Sequence, residues 1–390
     1  MATALGTLLN ANDAEWVGVL HQVAPHFLSK YVDETVRNRI LLAYLRKNGR
    51  IMLNQSGSMC VWNVKCDQAT VEAAGDGGTL VFNRNQNMRR AALNWRGYVT
   101  TDQMTEKEYL ECKGPSQIFD RYGEMIPGLM EAMTDNFGAE LILDGNGTGR
   151  DNCIHGLESF LSNDTDVAAT DLIATPSDSY AGLSTVLGSE GGTWSSNLSA
   201  GQRPNGTDTH ATDWPSGKGS TKYDFFSPKL VNYSSSAWGT GISGTTTPLS
   251  SWEANCERAI RQMVIWLIHT GGQRSKPKVV LLGQDLYNGY LNHQAAKGRI
   301  ILPHKESEDL GFSDTVNQEG VAITYDYDVP TLTGYACNVE NMELGSLDKV
   351  LFGYRGPDWS IKDRAYLFYV GMFGNTRFRP KHFGKLYPYA

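Results

Sequence analysis

The sequence predicts an α+β chain of two or three domains. Residues 116–144 carry apolar side chains at helical spacing, and residues 93–100 alternate at strand spacing. A chain of 390 residues, 41% hydrophobic and 20% charged, is also long enough to bury more than one core. Its 41 glycines are about a tenth of the chain against a usual ~7%, which predicts many turns and loops. The net charge of −7 argues against a protein that coats nucleic acid, and leaves room for local basic contacts.

Residues 13–47 read as an amphipathic helical segment broken near Pro25. Val36, Ile40, Leu41, Tyr44 and Leu45 share one stripe, and Gly49 is the stop signal. The stripe fits either a helix docked on its own domain or an arm lying on a neighbouring subunit. The chain opens with MATALGTLLNANDAEW, which has no basic segment ahead of an apolar run, so no signal peptide is expected.

Residues 50–101 read as a long hairpin. One arm is GRIMLNQSGSMCVWNVKC, the other AALNWRGYVTT, with a Gly-Asp-Gly-Gly turn signal between them. From Leu93 the alternation is strict: Leu93, Trp95, Gly97 and Val99 on one side, Asn94, Arg96, Tyr98 and Thr100 on the other. That is the period of a strand with one covered face. A two-stranded ribbon is marginal in water, so it needs a partner surface. Asp102, Glu106 and Glu108 are candidate acidic partners for Arg84, Arg89, Arg90 and Arg96, and together with Trp95 they form a candidate intersubunit contact set.

Pro115-Ser116 opens the strongest helix, with Ile118, Tyr122, Met125, Ile126, Leu129, Met133, Phe137 and Leu141 as its core stripe and Gly145 as its stop. Pro127 inside it is the expected bend and the candidate flexing position. Residues 189–249 are rich in Gly, Ser, Thr and Asn, with Trp194, Trp214 and Trp238, and predict a mostly irregular excursion. From Ser250 a helix ending at Gly271, a buried strand in KPKVVLLG and a short helix resume an α+β pattern. GVAITYDYDVP and GYACNVENMELG add strands, and the C-terminal run reads as a strand pair around Gly374-Asn375.

No catalytic constellation emerges. Gly145 and Gly147 start a G-x-G-x-x-G pattern that fails at Arg150, and PSGKGST lacks a P-loop's first glycine, having Thr212 there. The eight histidines are scattered singly. Asp326/Asp328 and Glu306/Glu308 read as solvated carboxylates. Six cysteines without a C-x-x-C pair read as free thiols, so neither a metal nor another cofactor is expected, and the chain is not expected to be an enzyme. The most apolar run, MVIWLIHTGG, falls short of the ~20 residues that span a membrane, so no membrane partner is expected.

Five stretches in order resemble the major capsid proteins of tailed bacteriophages with the Hong Kong 97-type fold: LRKNGRIMLNQSG (45–57), LNWRGYVTTDQMTEKEY (93–109), LILDGNGTG with IHGLESFL (141–161), SYAGLS…TW (179–194) and FGNTRFRPKHFGKL (373–386). The resemblance implies an N-terminal arm (1–48), an E-loop (49–107), a peripheral domain (108–188 and 346–390) with a long spine helix, an inserted or loop region (189–249) and an axial domain (250–345). It implies a structural subunit that self-assembles as hexamers and pentamers into an icosahedral head around double-stranded DNA, bound without sequence readout. The implied setting is the virion, assembled in the host bacterial cytoplasm. Implied partners are further copies of the chain, a portal protein and a possible decoration protein. Some relatives weld subunits through an E-loop lysine. Here no lysine lies between Lys65 and Lys107, which predicts a non-covalent shell. No long charged helical segment precedes the arm, which predicts a separate scaffolding protein rather than a fused, cleaved one. Two alternatives remain: an encapsulin-like compartment of the same fold, and a carbohydrate-binding protein using the 189–250 tryptophans with Asp213 and Asp224.

Overall fold

The computed structural model describes residues 39–66, 82, 88–111, 115–161, 173–174, 178–185, 225–234, 248–297 and 315–388. The N-terminal stretch before residue 39, Arg84, the Gly-Asp-Gly-Gly turn, Glu306/Glu308 and the three tryptophans of 189–249 lie outside them.

The first elements are helix α1 (Ile40–Lys47), strands β1 (Ile51–Met52), β2 (Met59–Lys65), β3 (Met88–Asn94) and β4 (Arg96–Thr105), a short α2 (Glu106–Glu111) and the long α3 (Pro115–Glu140). Short strands β5 (Ile173–Ala174), β6 (Ser179–Tyr180) and β7 (Leu183–Ser184) follow, then β8 (Lys229–Asn232) and helix α4 (Pro248–Gly271). Strand β9 (Val279–Leu282) leads into helix α5 (Gln284–Ala296). The chain ends with β10 (Val316–Gln318), β11 (Val321–Tyr325), β12 (Gly334–Cys337), β13 (Met342–Ser346), β14 (Gly353–Ser360), β15 (Ala365–Phe378) and β16 (Gly384–Tyr387).

Two sheets organise these elements. The seven-stranded sheet runs β10-β11-β9-β12-β16-β8-β5. Its central strands β9 (VVLL) and β12 (GYAC) are short and buried throughout, the pattern of a sheet covered on both faces. Alternate side chains divide the core: Val279, Leu281, Tyr335 and Cys337 point into one cluster, Val280, Leu282, Ala336 and Leu386 into the other, against α4 and α5. The five-stranded sheet is built on β15, which pairs with β4 along one edge and with β14 and then β13 along the other, while β1 extends β13. Helix α3 lies against this sheet. At 26 residues it is about 39 Å long, and the predicted stripe from Met125 to Leu141 is buried or half-buried.

The predicted hairpin exists, but its second arm is two strands. Met88–Asn94 pairs with β2, whereas Arg96–Thr105 pairs with β15 over its whole length. The break at Trp95 reverses the covered face. Ala91 and Leu93 are buried before it; after it Met104 is buried and Tyr98 packs on the core, while Val99 is 51% exposed. Strict alternation through residue 100 therefore spans two strands in two sheets. The ribbon's base is also closer to a core than expected. Ala92 N donates to Ala181 O at 3.1 Å and the Trp62 ring meets Tyr180 at 6.1 Å, so the β6–β7 turn of the same chain supports it.

Four further expectations change. Gly374-Asn375 is not a turn: β15 runs straight through it for 14 residues. Lys229–Asn232, inside the expected irregular region, is a fully buried interior strand, because its KLVN run fills the gap between β16 and β5. Strand β16 leaves the C-terminal strands and inserts between β12 and β8 of the other sheet, so residues 346–390 do not stay together. In the opposite sense β13, which ends the predicted 250–345 unit, pairs with β15. Register, which composition does not encode, decides both.

Candidate assembly surface

The ribbon and the sheet it enters present the candidate contact residues. Arg89 and Arg90 stand exposed on β3, and Met88 beside them is 61% exposed. Trp95, at the break, is fixed from both sides: its Nε1 donates to Gly57 O at 2.9 Å, and its ring lies against Gly345, where a Cβ would come within 3.4 Å. Arg96 turns inward beside His155, its Nε buried without a hydrogen-bond partner. Burial first, and then the Arg96 charge, push the His155 imidazole down to about 4, so it is neutral at physiological pH.

The acidic members of the set are engaged within the chain. Thr105 and Glu108 form a reciprocal capping box at the start of α2: the Glu108 carboxylate accepts from Thr105 N at 3.0 Å and Thr105 Oγ1 at 3.1 Å, and Glu108 N donates to Thr105 Oγ1 at 3.4 Å. Glu106 pairs with Arg364 at 2.6 Å across the edge of the five-stranded sheet. That pair is exposed and contributes at most about 1 kcal/mol. Asp102 accepts from the neighbouring Gln103 N at 2.8 Å. The T-x-x-E spacing of 105–108 was the available signal for the capping box.

The outward face of the five-stranded sheet carries a stripe that the sequence reading missed. The register sets Gly371 opposite Val99, Phe373 opposite Gly97 and Leu367 opposite Gln103. Val99, Leu367 and Phe373 are 51%, 37% and 47% exposed. The Phe373 ring lies over Gly97, whose missing side chain makes room for it. An exposed apolar strip of this kind beside an extended ribbon is a candidate interaction surface.

Three polar nodes, each with a buried member, tie distant segments together. Asn375, fully buried, accepts from His155 N (3.1 Å) and Thr376 N (2.8 Å) and donates to Asn94 O (2.8 Å). Lys385 in β16 sits 2.7 Å from Glu158 and donates to Leu161 O at 3.1 Å. Arg39 joins Asp135 and Asp328. Asp326 and Asp328 are thus not the solvated pair expected, since the turn after β11 folds them under α1 and α3. No signal at single-residue spacing marks these nodes, because each joins segments far apart in the chain.

Pro127 lies within α3 as predicted. Proline there removes a helix hydrogen bond, so Pro127→Ala is expected to raise the unfolding free energy of the unassembled chain by about 1–3 kcal/mol, read by denaturant titration.

Among the described residues no group of three or more His, Cys, Asp and Glu side chains converges to hold a metal, and no helix is long and apolar enough to cross a membrane. No protein-family model and no curated protein matches the chain. Solved structures do. The capsid of cyanophage A-1(L) matches at a TM-score of 0.53 with 13% identity, over 90% of this chain and 92% of that one. Looser likenesses include the capsid of a native GTA particle (TM-score 0.48, 10% identity, 88% and 89% covered) and the SrpI encapsulin complex of Synechococcus elongatus PCC 7942 (0.43, 11%, 89% and 87%). The likeness to the cyanophage capsid spans nearly the whole of both chains, and the fold is that of tailed-phage major capsid proteins, the Hong Kong 97 type.

Proposed function

We propose that the chain is the major capsid protein of a tailed phage, a structural subunit whose copies form hexamers and pentamers and close into an icosahedral shell around double-stranded DNA. The observation that carries this reading is the cyanophage capsid likeness over 90% of the chain. The exposed strip of Val99, Leu367 and Phe373 and the outward ribbon support it, because a subunit of a shell must keep apolar surface for its neighbours. In this reading a separate scaffolding protein guides assembly, a portal occupies one vertex, a decoration protein is a possible outer partner, and the shell is held without covalent cross-links. The net charge of −7 suits a container that releases its genome, without sequence-specific binding.

Electron microscopy with light scattering, on the chain alone and with its scaffolding protein, tests the reading. Closed particles or capsomer rings support it. Protein cargo in place of DNA inside native particles would redirect it to an encapsulin-like compartment, and a monomer under both conditions would overturn it. Reversing the ribbon's charges is a narrower check. Arg89→Glu with Arg90→Glu is expected to leave the melting temperature of the unassembled chain within about 2 °C, since both residues are exposed, while lowering particle yield at least about tenfold. Unchanged particle yield would remove these two residues from the contact.

A further inference from the structure

Arg39 is the last residue before α1, and its guanidinium reaches two elements at once. One Nη bonds Asp135 on α3, and the other donates to Asp328, in the turn between β11 and β12, at 2.7 Å. Its plane also lies 4.7 Å from the Tyr327 ring centroid. The three elements so joined meet at the rim of one shared apolar core: α3 packs on the five-stranded sheet, the 326–328 turn follows β11 of the seven-stranded sheet, and α1 lies between them. At the far end of α1, Asn48 Oδ1 accepts from Lys278 Nζ beside β9 at 2.8 Å, and Arg50 O accepts from Leu344 N of β13 at 3.0 Å. Gly138 makes the approach possible, because a Cβ there would come within 2.8 Å of Asp328 Oδ2 and 3.0 Å of Arg39 Cδ.

We infer that Arg39, with Asp328 and the more exposed Asp135, forms a charge-loaded joint that pins α1 and α3 to the turn after β11, and that Arg39 holds it shut against the tendency of Asp328 to return to water. The charges support this. The Asp328 side chain is only 6% exposed. The groups facing it are Arg39, Asp135, Asp326 and Tyr327, with Cys337 beyond Asp326. Three of them are carboxylates or a phenol, and among the described residues only Arg39 is a cation. Burial pushes the Asp328 carboxyl up to about 6, with the Asp326 and Asp135 charges adding to it and Arg39 opposing them. A carboxyl that binds its proton more tightly when buried than when solvated favours the closed joint at low pH. Ionisation above about pH 6 favours opening, so at neutral pH closure depends on the Arg39 contact. The joint does not rest on the capsid reading.

Hydrogen exchange of the unassembled full-length chain, corrected for intrinsic rates, tests it at pH 5 and pH 8. In Arg39→Gln, amides of α1, of 134–140 and of 326–334 are expected to exchange at least about tenfold faster at pH 8 and to recover protection at pH 5. A difference of about two pH units between the buried and solvated carboxyl permits up to about a hundredfold. Adding Asp328→Asn to Arg39→Gln should restore protection at pH 8. Asp328→Asn alone keeps the test open if Arg39→Gln fails to fold, since it should abolish whatever pH dependence the wild type shows in these segments. Exchange in Arg39→Gln that is unchanged at pH 8, or faster by the same factor at both pH values and unaltered by Asp328→Asn, would overturn the joint. Because no particles are needed, that failure is distinct from failure of the capsid reading.

Discussion

Asn375→Leu is expected to cost about 3–5 kcal/mol of folding stability and, if the chain is the shell subunit proposed above, to abolish particle formation. The Asn375 amide is fully buried and satisfies three backbone groups from three segments: His155 N after the exit of α3, Thr376 N in β15 and Asn94 O at the end of the ribbon. Leucine is close in volume, so little cavity term arises. Three backbone groups, however, lose a partner where water cannot replace it, at about 1–3 kcal/mol for each group left unsatisfied. The loss should be concentrated locally. Hydrogen exchange is expected to rise at 92–96 and 153–157 before the rest of the sheet, because Asn375 ties the ribbon base to the loop after α3. Denaturant unfolding that shifts by less than about 1 kcal/mol would mean that ordered water replaces the amide.

The second large effect is expected at the Lys385–Glu158 pair. Lys385 is 3% exposed in the middle of the seven-stranded sheet, with Glu158 2.7 Å away and the Tyr335 hydroxyl donating to the same carboxylate. Glu158→Gln leaves an ammonium buried without its counter-charge, at about 3–5 kcal/mol. The pH dependence identifies the cause. Burial lowers the Lys385 pKa below the usual 10.5, and Glu158 raises it back in part. A base whose folded pKa lies below its unfolded value is held back by its charge at low pH. That handicap shrinks as pH rises through the folded pKa and is gone above the unfolded one. Removing Glu158 lowers the folded pKa further. The Glu158→Gln penalty should therefore be largest near pH 7 and shrink at pH 9.5, measured as the difference from wild type in denaturant titrations. A penalty independent of pH would point to lost packing instead. Replacing both partners, Lys385→Met with Glu158→Gln, is expected to recover most of the loss, since a methionine keeps the stem and removes the charge.

What the sequence determined by itself is local. The stripe from Met125 to Leu141 required a long helix on one covered face, and the run from Ser250 to Gly271 a second one, which the structure starts at Pro248. VVLL at 279–282 read correctly as a buried strand, and of the expected hairpin arms GRIMLNQSGSMCVWNVKC and AALNWRGYVTT the parts MCVWNVK and AALN do pair. These follow from periodicity, which is a property of neighbours in the chain. The order of such elements was also enough to suggest the capsid fold, to which the whole-chain likeness then led.

Tertiary structure decided what depends on pairing between distant segments. Alternation from Leu93 to Thr100 contains no mark of the sheet change at Trp95, because each half keeps the strand period and only the partner strand differs. Gly374-Asn375 has turn composition, yet β13 and β4 flank it, and glycine there lets the Gly345 backbone come close. Glu106 and Glu108 offered charge but not address: one lies across a sheet edge from Arg364, the other closes its own helix turn. Asp326 and Asp328 looked solvated because their neighbours in sequence are polar, while α1 and α3, hundreds of residues away in sequence, cover them. Spacing along the chain specifies faces and periods. Which face meets which, and which charge is thereby buried, is settled only when the sheets close on each other.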